Sequence, residues 1–122
     1  NVDYIKSFGK GCGLHICGKS KKIWDLLPAT GIGVFGLDNI ESLQEAKDIL
    51  GNRIALQGNV PPIEVMLMGD SLDVIISAKE CIEIGKGIPC GYTLTSGCQM
   101  PIGTPKENMH ALMNAARIFG RY

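Results

Sequence analysis

The chain has 122 residues and balances 12 Lys plus Arg against 12 Asp plus Glu, so no net charge recommends a nucleic-acid or membrane partner. Only 6% of residues are aromatic, too few for a base-stacking platform, and no apolar stretch approaches the length of a membrane span. The length suits one domain with a real core but is short for a complete eight-stranded α/β barrel.

Residues 1–10 read as the tail of an upstream helix or loop, with Tyr4, Ile5 and Phe8 at helical spacing. The chain opens at Asn1 without an initiator Met, which suggests a single partial domain, 1–122, from something longer. Residues 12–16 form the first apolar strand, and 20–27 a helix stopped by Pro28 and Gly31. The second strand spans 33–37. The helix after it spans 42–50, with Ser42 and Glu45 in capping-box positions and Gly51 just past its end. A third strand, 53–57, runs into Gly58-Asn59-Val60-Pro61-Pro62 and a short helical turn over 62–68. Residues 71–84 follow as a longer helix capped by Asp70, with Asp73 three residues on and Gly85 closing it. Leu72, Ile75, Ile76, Lys79 and Ile82 are predicted to share the side that packs on a sheet. The fourth strand spans 91–95. Thr104 caps the last helix, with Pro105 at its first position and Glu107 completing the box. Four strand–helix repeats at this spacing predict an α/β fold with parallel strands and right-handed crossovers.

The polar and glycine-rich clusters all fall at the C-terminal ends of the predicted strands: His15-Ile16-Cys17-Gly18, Leu37-Asp38-Asn39, Gln57-Gly58-Asn59 and Ser96-Gly97-Cys98. In parallel α/β folds that edge carries the active site. The loops at the opposite edge, around Thr30 and Gly51, are chemically plain.

His15 and Cys17 are two residues apart, so on an extended backbone their side chains point the same way and can serve one metal ion. Cys98 offers a third soft donor some 80 residues downstream, much too far for a zinc finger. Three His/Cys donors with a fourth position open is the arrangement of a catalytic zinc site. Buried free cysteine is also common, and a strand-end His can simply bond a carbonyl, so residue types alone leave metal binding and packing both open. Five cysteines are an odd number for a disulfide framework, which points to a reducing cytoplasm. Cys12, Cys81 and Cys90 read as core or loop packing, and the five methionines as gap-fillers. His110 reads as a surface or packing residue of the last helix. Asp38 and Asn59 are candidates to line a substrate pocket, or alternatively turn residues and helix caps. Gly31-Ile32-Gly33 precedes a strand rather than following one and so is no dinucleotide motif.

Leu14-His15-Ile16-Cys17-Gly18, Gln57-Gly58-Asn59-Val60-Pro61-Pro62, Ser96-Gly97-Cys98-Gln99-Met100-Pro101 and Thr104-Pro105-Lys106-Glu107-Asn108 resemble the uroporphyrinogen decarboxylase superfamily. More narrowly, they are similar to its corrinoid-dependent (methylcobamide) methyltransferase branch. The resemblance runs from about residue 10 to the end and covers all four strand–helix units. It implies the C-terminal half of a TIM (β/α)8 barrel, its fifth to eighth strands. It also implies a His-x-Cys…Cys zinc motif matched by His15, Cys17 and Cys98, whereas decarboxylases of the superfamily use no metal.

The chemistry implied is methyl transfer from a methylated corrinoid (methylcobalamin) carried by a partner protein. The acceptor is a small molecule, a thiol such as coenzyme M or tetrahydrofolate. For a thiol acceptor the resemblance implies that the zinc-held thiolate would attack the cobalt-bound methyl in line, leaving Co(I). The alternatives are a metal-free decarboxylase of the porphyrinogen type, or a non-catalytic assembly or corrinoid-protein docking fragment. With the first half of a barrel absent, two sheet edges and an apolar inner face are expected to be exposed, predicting self-association as a homo-oligomer. Metal binding without turnover is then an expected property of the isolated piece.

Overall fold

The four apolar runs become one parallel sheet in the computed structural model, which describes residues 1–121. Its strands are β1 (Gly13–Ile16), β2 (Val34–Leu37), β3 (Ala55–Val60) and β4 (Tyr92–Ser96), lying side by side in chain order. The helices are α1 (Val2–Lys6), α2 (Leu43–Leu50), α3 (Ser71–Gly85) and α4 (Lys106–Phe119). This strand–helix alternation is the four-unit α/β arrangement expected of part of a TIM barrel. Because all strands run the same way, their C-terminal ends share one edge.

Alternation along the strands sorts the two faces. Phe35, Leu37, Leu56 and Val60 point to one face and are fully buried with Ala46, Leu50, Val74 and Ala78 of the helices. The register pairs His15 with Gly36 and Gly36 with Gln57, so these three share the other face. That inner face differs from the apolar surface expected. Beside Val34 and Ala55 it carries His15, Gln57, Thr93 and Thr95, because its strand positions hold mostly small or polar residues.

Several local expectations need correction. Residues 20–27 do not form an α-helix: Lys21–Leu26 is a 3₁₀ segment, followed by a second 3₁₀ turn at Pro28–Thr30. Pro28 blocks extension, and the run is too short to carry the cost of starting an α-helix. Pro62–Leu67 is a single π-helical stretch, its wide turn visible in Met68 N donating to Ile63 O. Ser42 accepts from Glu45 N at 3.2 Å, but Glu45 turns its carboxylate to Lys21 instead of closing a box. In α3 the capping box of Asp70 and Asp73 forms in full, yet Gly85 is the last helical residue and Lys86 the C-cap.

The stripe α3 buries is Val74, Ala78, Cys81, Ile82 and Gly85, whereas Leu72 and Ile76 are 62% and 49% exposed. The helix has more apolar residues than one stripe, and contact with both the sheet and α4 selects among them. Thr104 caps nothing; its hydroxyl donates to Pro101 O at 2.8 Å, and Pro105 is the N-cap of α4. Of the methionines only Met66 is fully buried, while Met68, Met109 and Met113 lie on the surface. No helix among the described residues is long and apolar enough to cross a membrane.

Candidate metal centre

His15 is the penultimate residue of β1, with Gly36 directly beside it in the register. A Cβ on Gly36 would stand 3.1 Å from His15 Nδ1, so glycine leaves the space in which the ring lies. His15 Nδ1 is 2.9 Å from Gly36 O. A carbonyl can only accept, so Nδ1 carries the proton and Nε2 keeps its lone pair free. Cys17 Sγ lies 3.2 Å from that Nε2 and 3.4 Å from Cys98 Sγ.

Cys98 reaches the cluster because Gly97 lets the chain after β4 pass hard against Asn39, where a Cβ would overlap the Asn39 backbone nitrogen. The three donor atoms all lie within 4.8 Å of one another, the only such His/Cys/Asp/Glu group among the described residues. Zn–S bonds of about 2.3 Å and Zn–N bonds of about 2.0 Å place tetrahedral ligands roughly 3.5–3.8 Å apart. The two spacings at Cys17 are a few tenths shorter and the third pair lies within 4.8 Å, so a small rearrangement of the cluster would admit the ion. Two thiolates would neutralise its charge, and the fourth position would be left open. The residues fit zinc.

Without a cation, the hydrogen bond to Cys98 pushes the Cys17 thiol up from its ordinary pKa, and the negative charges of Cys98 and Asp38 act in the same direction.

Asp38 and Asn59, the expected pocket residues, are both buried, and their polar atoms are occupied within the chain. Asp38 Oδ2 accepts from Gly18 N at 2.7 Å and Oδ1 from Ile40 N at 3.0 Å. Asn59 Nδ2 donates to the carbonyls of Asp38 (3.1 Å) and Glu41 (2.8 Å), and its Oδ1 accepts from Cys81 Sγ. They fasten the loops that carry the cluster. Burial pushes the Cys81 thiol up, in keeping with a packed cysteine, while Cys12 is half-buried and Cys90 is an exposed loop residue. His110 is exposed on α4.

A cleft of about 270 Å³ opens beside the cluster, lined by His15, Gln57, Thr95, Ser96, Cys98 and Gln99. Another of about 210 Å³ adjoins it along the inner face, again touching His15 and Gln57. Gln57, Thr95 and Gln99 line the cleft without having been picked out individually as site residues. For Gln57 the signal was present: it opens the strand-end cluster Gln57-Gly58-Asn59 and stands on the inner-face parity of β3.

Comparison with known proteins agrees with this architecture. The family model for uroporphyrinogen decarboxylase matches residues 1–119. A methylcobamide:CoM methyltransferase from Methanosarcina acetivorans is 28% identical over 95% of this chain and 32% of its own length. A second methylcobamide:CoM methyltransferase, from Methanosarcina barkeri, is 33% identical over 84% of the chain and 29% of its own length. Uroporphyrinogen decarboxylase 2 (chloroplastic) of Oryza sativa is 32% identical over 75% of the chain and 22% of its own length. Among solved structures, a methyltransferase from Methanosarcina mazei superposes with a TM-score of 0.82 at 29% identity, covering 98% of this chain and 34% of that one. The chain thus spans about a third or less of these relatives. With a matching family model along nearly its whole length and the barrel-type strand–helix order in place, the chain belongs to the uroporphyrinogen decarboxylase family.

Proposed function

We propose that this chain carries the metal centre of a zinc-dependent methyltransferase. The enzyme moves a methyl group from a methylated corrinoid protein to a small acceptor, either a thiol such as coenzyme M or else tetrahydrofolate. The observation that carries the reading is the convergence of His15, Cys17 and Cys98 at the C-terminal strand edge. The names of two relatives, methylcobamide:CoM methyltransferases, supply the reaction class.

In this reading His15 Nε2 and the sulfurs of Cys17 and Cys98 hold the ion, and the Gly36 carbonyl keeps His15 in the ligating tautomer. Zinc bound there supplies Lewis-acid lowering of an acceptor thiol's pKa, favouring the thiolate at neutral pH. Gln57, Thr95 and Gln99 line the adjoining cleft and offer hydrogen bonds that orient the acceptor. Free thiols at the centre suit a reducing compartment such as the cytoplasm.

Calorimetric titration of the zinc-loaded, reduced chain with coenzyme M in buffers of different ionisation enthalpy tests the thiol branch. Saturable binding with release of about one proton per thiol is expected, and its loss in Cys98→Ser. Absence of thiol binding, with tetrahydrofolate binding in its place, would move the acceptor to the folate class. Failure of both on a zinc-loaded chain contradicts the methyltransferase reading. Decarboxylases among the relatives favour a second reading, a metal-free decarboxylase, for which the chain would take up no zinc.

A further inference from the structure

We infer that Asp38 is a positioning residue of the metal centre, setting the Cys17 sulfur through the Gly18 N–H; this rests on His15, Cys17 and Cys98 being the metal ligands. Gly18 follows Cys17 directly and turns the chain in the left-handed region, with φ +79. The turn is pinned from across the sheet edge, by Asp38 Oδ2 accepting from Gly18 N at 2.7 Å. The other carboxylate oxygen takes the Ile40 N–H at 3.0 Å, so the group is tied at once to its own loop and to the ligand loop. The Asp38 carbonyl is itself held by Asn59 Nδ2 at 3.1 Å, which ties the end of β2 to β3.

The residue next to Asp38 packs against the turn that carries the other thiol. Asn39 backs against Gly97, one residue before Cys98, closely enough that no Cβ would fit. Residues 38 and 39 therefore stand between the two sulfur-bearing turns and set their spacing, 3.4 Å from Cys17 Sγ to Cys98 Sγ. Asp38 is also a buried carboxylate that no Lys or Arg pairs with among the described residues. Its negative charge beside two potential thiolates suits a dication at the cluster.

A generic loop fastener sits nearby for comparison. Glu41 Oε1 accepts from Ser20 N at 2.6 Å and Lys21 N at 3.0 Å, clamping the same loop farther from the sulfurs.

Cobalt(II) titration of the reduced, chelator-stripped chain separates the two roles, because thiolate-to-cobalt charge-transfer and ligand-field bands report the donor set as well as affinity. Asp38→Ala is expected to weaken cobalt binding about ten- to a hundred-fold and to shift the charge-transfer band. Asp38→Asn, which keeps one oxygen acceptor, should fall between it and wild type. Glu41→Ala should lower the thermal midpoint while leaving cobalt affinity and spectrum as in wild type.

Wild-type affinity and spectrum in both Asp38 variants would overturn the inference, as would an equal loss in Glu41→Ala. If Asp38→Ala does not fold, Asp38→Asn decides by the same readouts. A wild-type chain that binds no cobalt would overturn the ligand assignment itself, and this inference with it.

Discussion

A Cβ at residue 36 would meet the His15 ring at 3.1 Å (Nδ1) and the His15 Cβ at 3.2 Å, so in Gly36→Ala the imidazole must give by a few tenths of an ångström, which strains its bond to the carbonyl that orients it. Zinc affinity measured by competition with a chromophoric chelator should fall by about tenfold or more. An unchanged affinity would mean that the ring finds the ion without that hydrogen bond. The thiols add a pH dependence with a definite sign. Because the bond to Cys98 raises the Cys17 pKa, a proton must be displaced before its sulfur can bind. Apparent metal affinity should therefore rise with pH, by about one log unit per pH unit for that proton. An affinity flat between pH 6 and 8 would contradict thiolate ligation. His15, Cys17 and Cys98 were legible in the sequence because their residue types and the parity of 15 and 17 carry the chemistry directly. The turn in which Asp38 takes the Ile40 N–H was among the roles the sequence offered; its bond to Gly18 N and those of Asn59 were not, because those partners lie about twenty residues away in the chain and meet only once the strands are paired.

Helix ends show which local signals survive packing. Asp70 accepts from Leu72 N at 2.8 Å and Asp73 N at 3.0 Å, so Asp70→Ala should destabilise the chain by about 1 kcal/mol in denaturant unfolding. Thr104→Ala should leave the capping of α4 as it is, since that hydroxyl is spent on Pro101 O. A loss at Thr104 as large as that at Asp70 would contradict this assignment of caps. The α3 box was legible because all its parts lie within four residues. The α4 box was not, because the turn at Pro101 competes for the same hydroxyl. Parallel direction followed from spacing and side-by-side order from the barrel resemblance, with strand ends moving by at most three residues. The segment after β1 shows the opposite case. Apolar spacing there suggested a helix, but Pro28 confines the segment to a run too short for one, and only 3₁₀ turns form.

At the scale of the whole molecule, β1 and β4 each have one unpaired edge, and the helices cover only one face of the sheet. Parallel sheets are ordinarily covered on both faces. Beside β4 an apolar cleft of about 310 Å³ remains between the strand and α3/α4, lined by Ile82, Leu94 and Met113 among others. The open inner face is polar around His15 and Gln57, so the expected self-association would rest on the edges and this cleft. Sedimentation of the reduced chain at tens of micromolar should give a mass above that of one chain, and a monodisperse monomer would contradict the homo-oligomer. The metal centre itself is tested most directly by zinc content, measured by elemental analysis on the reduced, purified chain after zinc reconstitution and removal of excess metal, with Cys98→Ser beside it. About one zinc per wild-type chain, lost or much weakened in the variant, is the expected result. No retained zinc in wild type, or equal zinc in both, would contradict ligation by His15, Cys17 and Cys98.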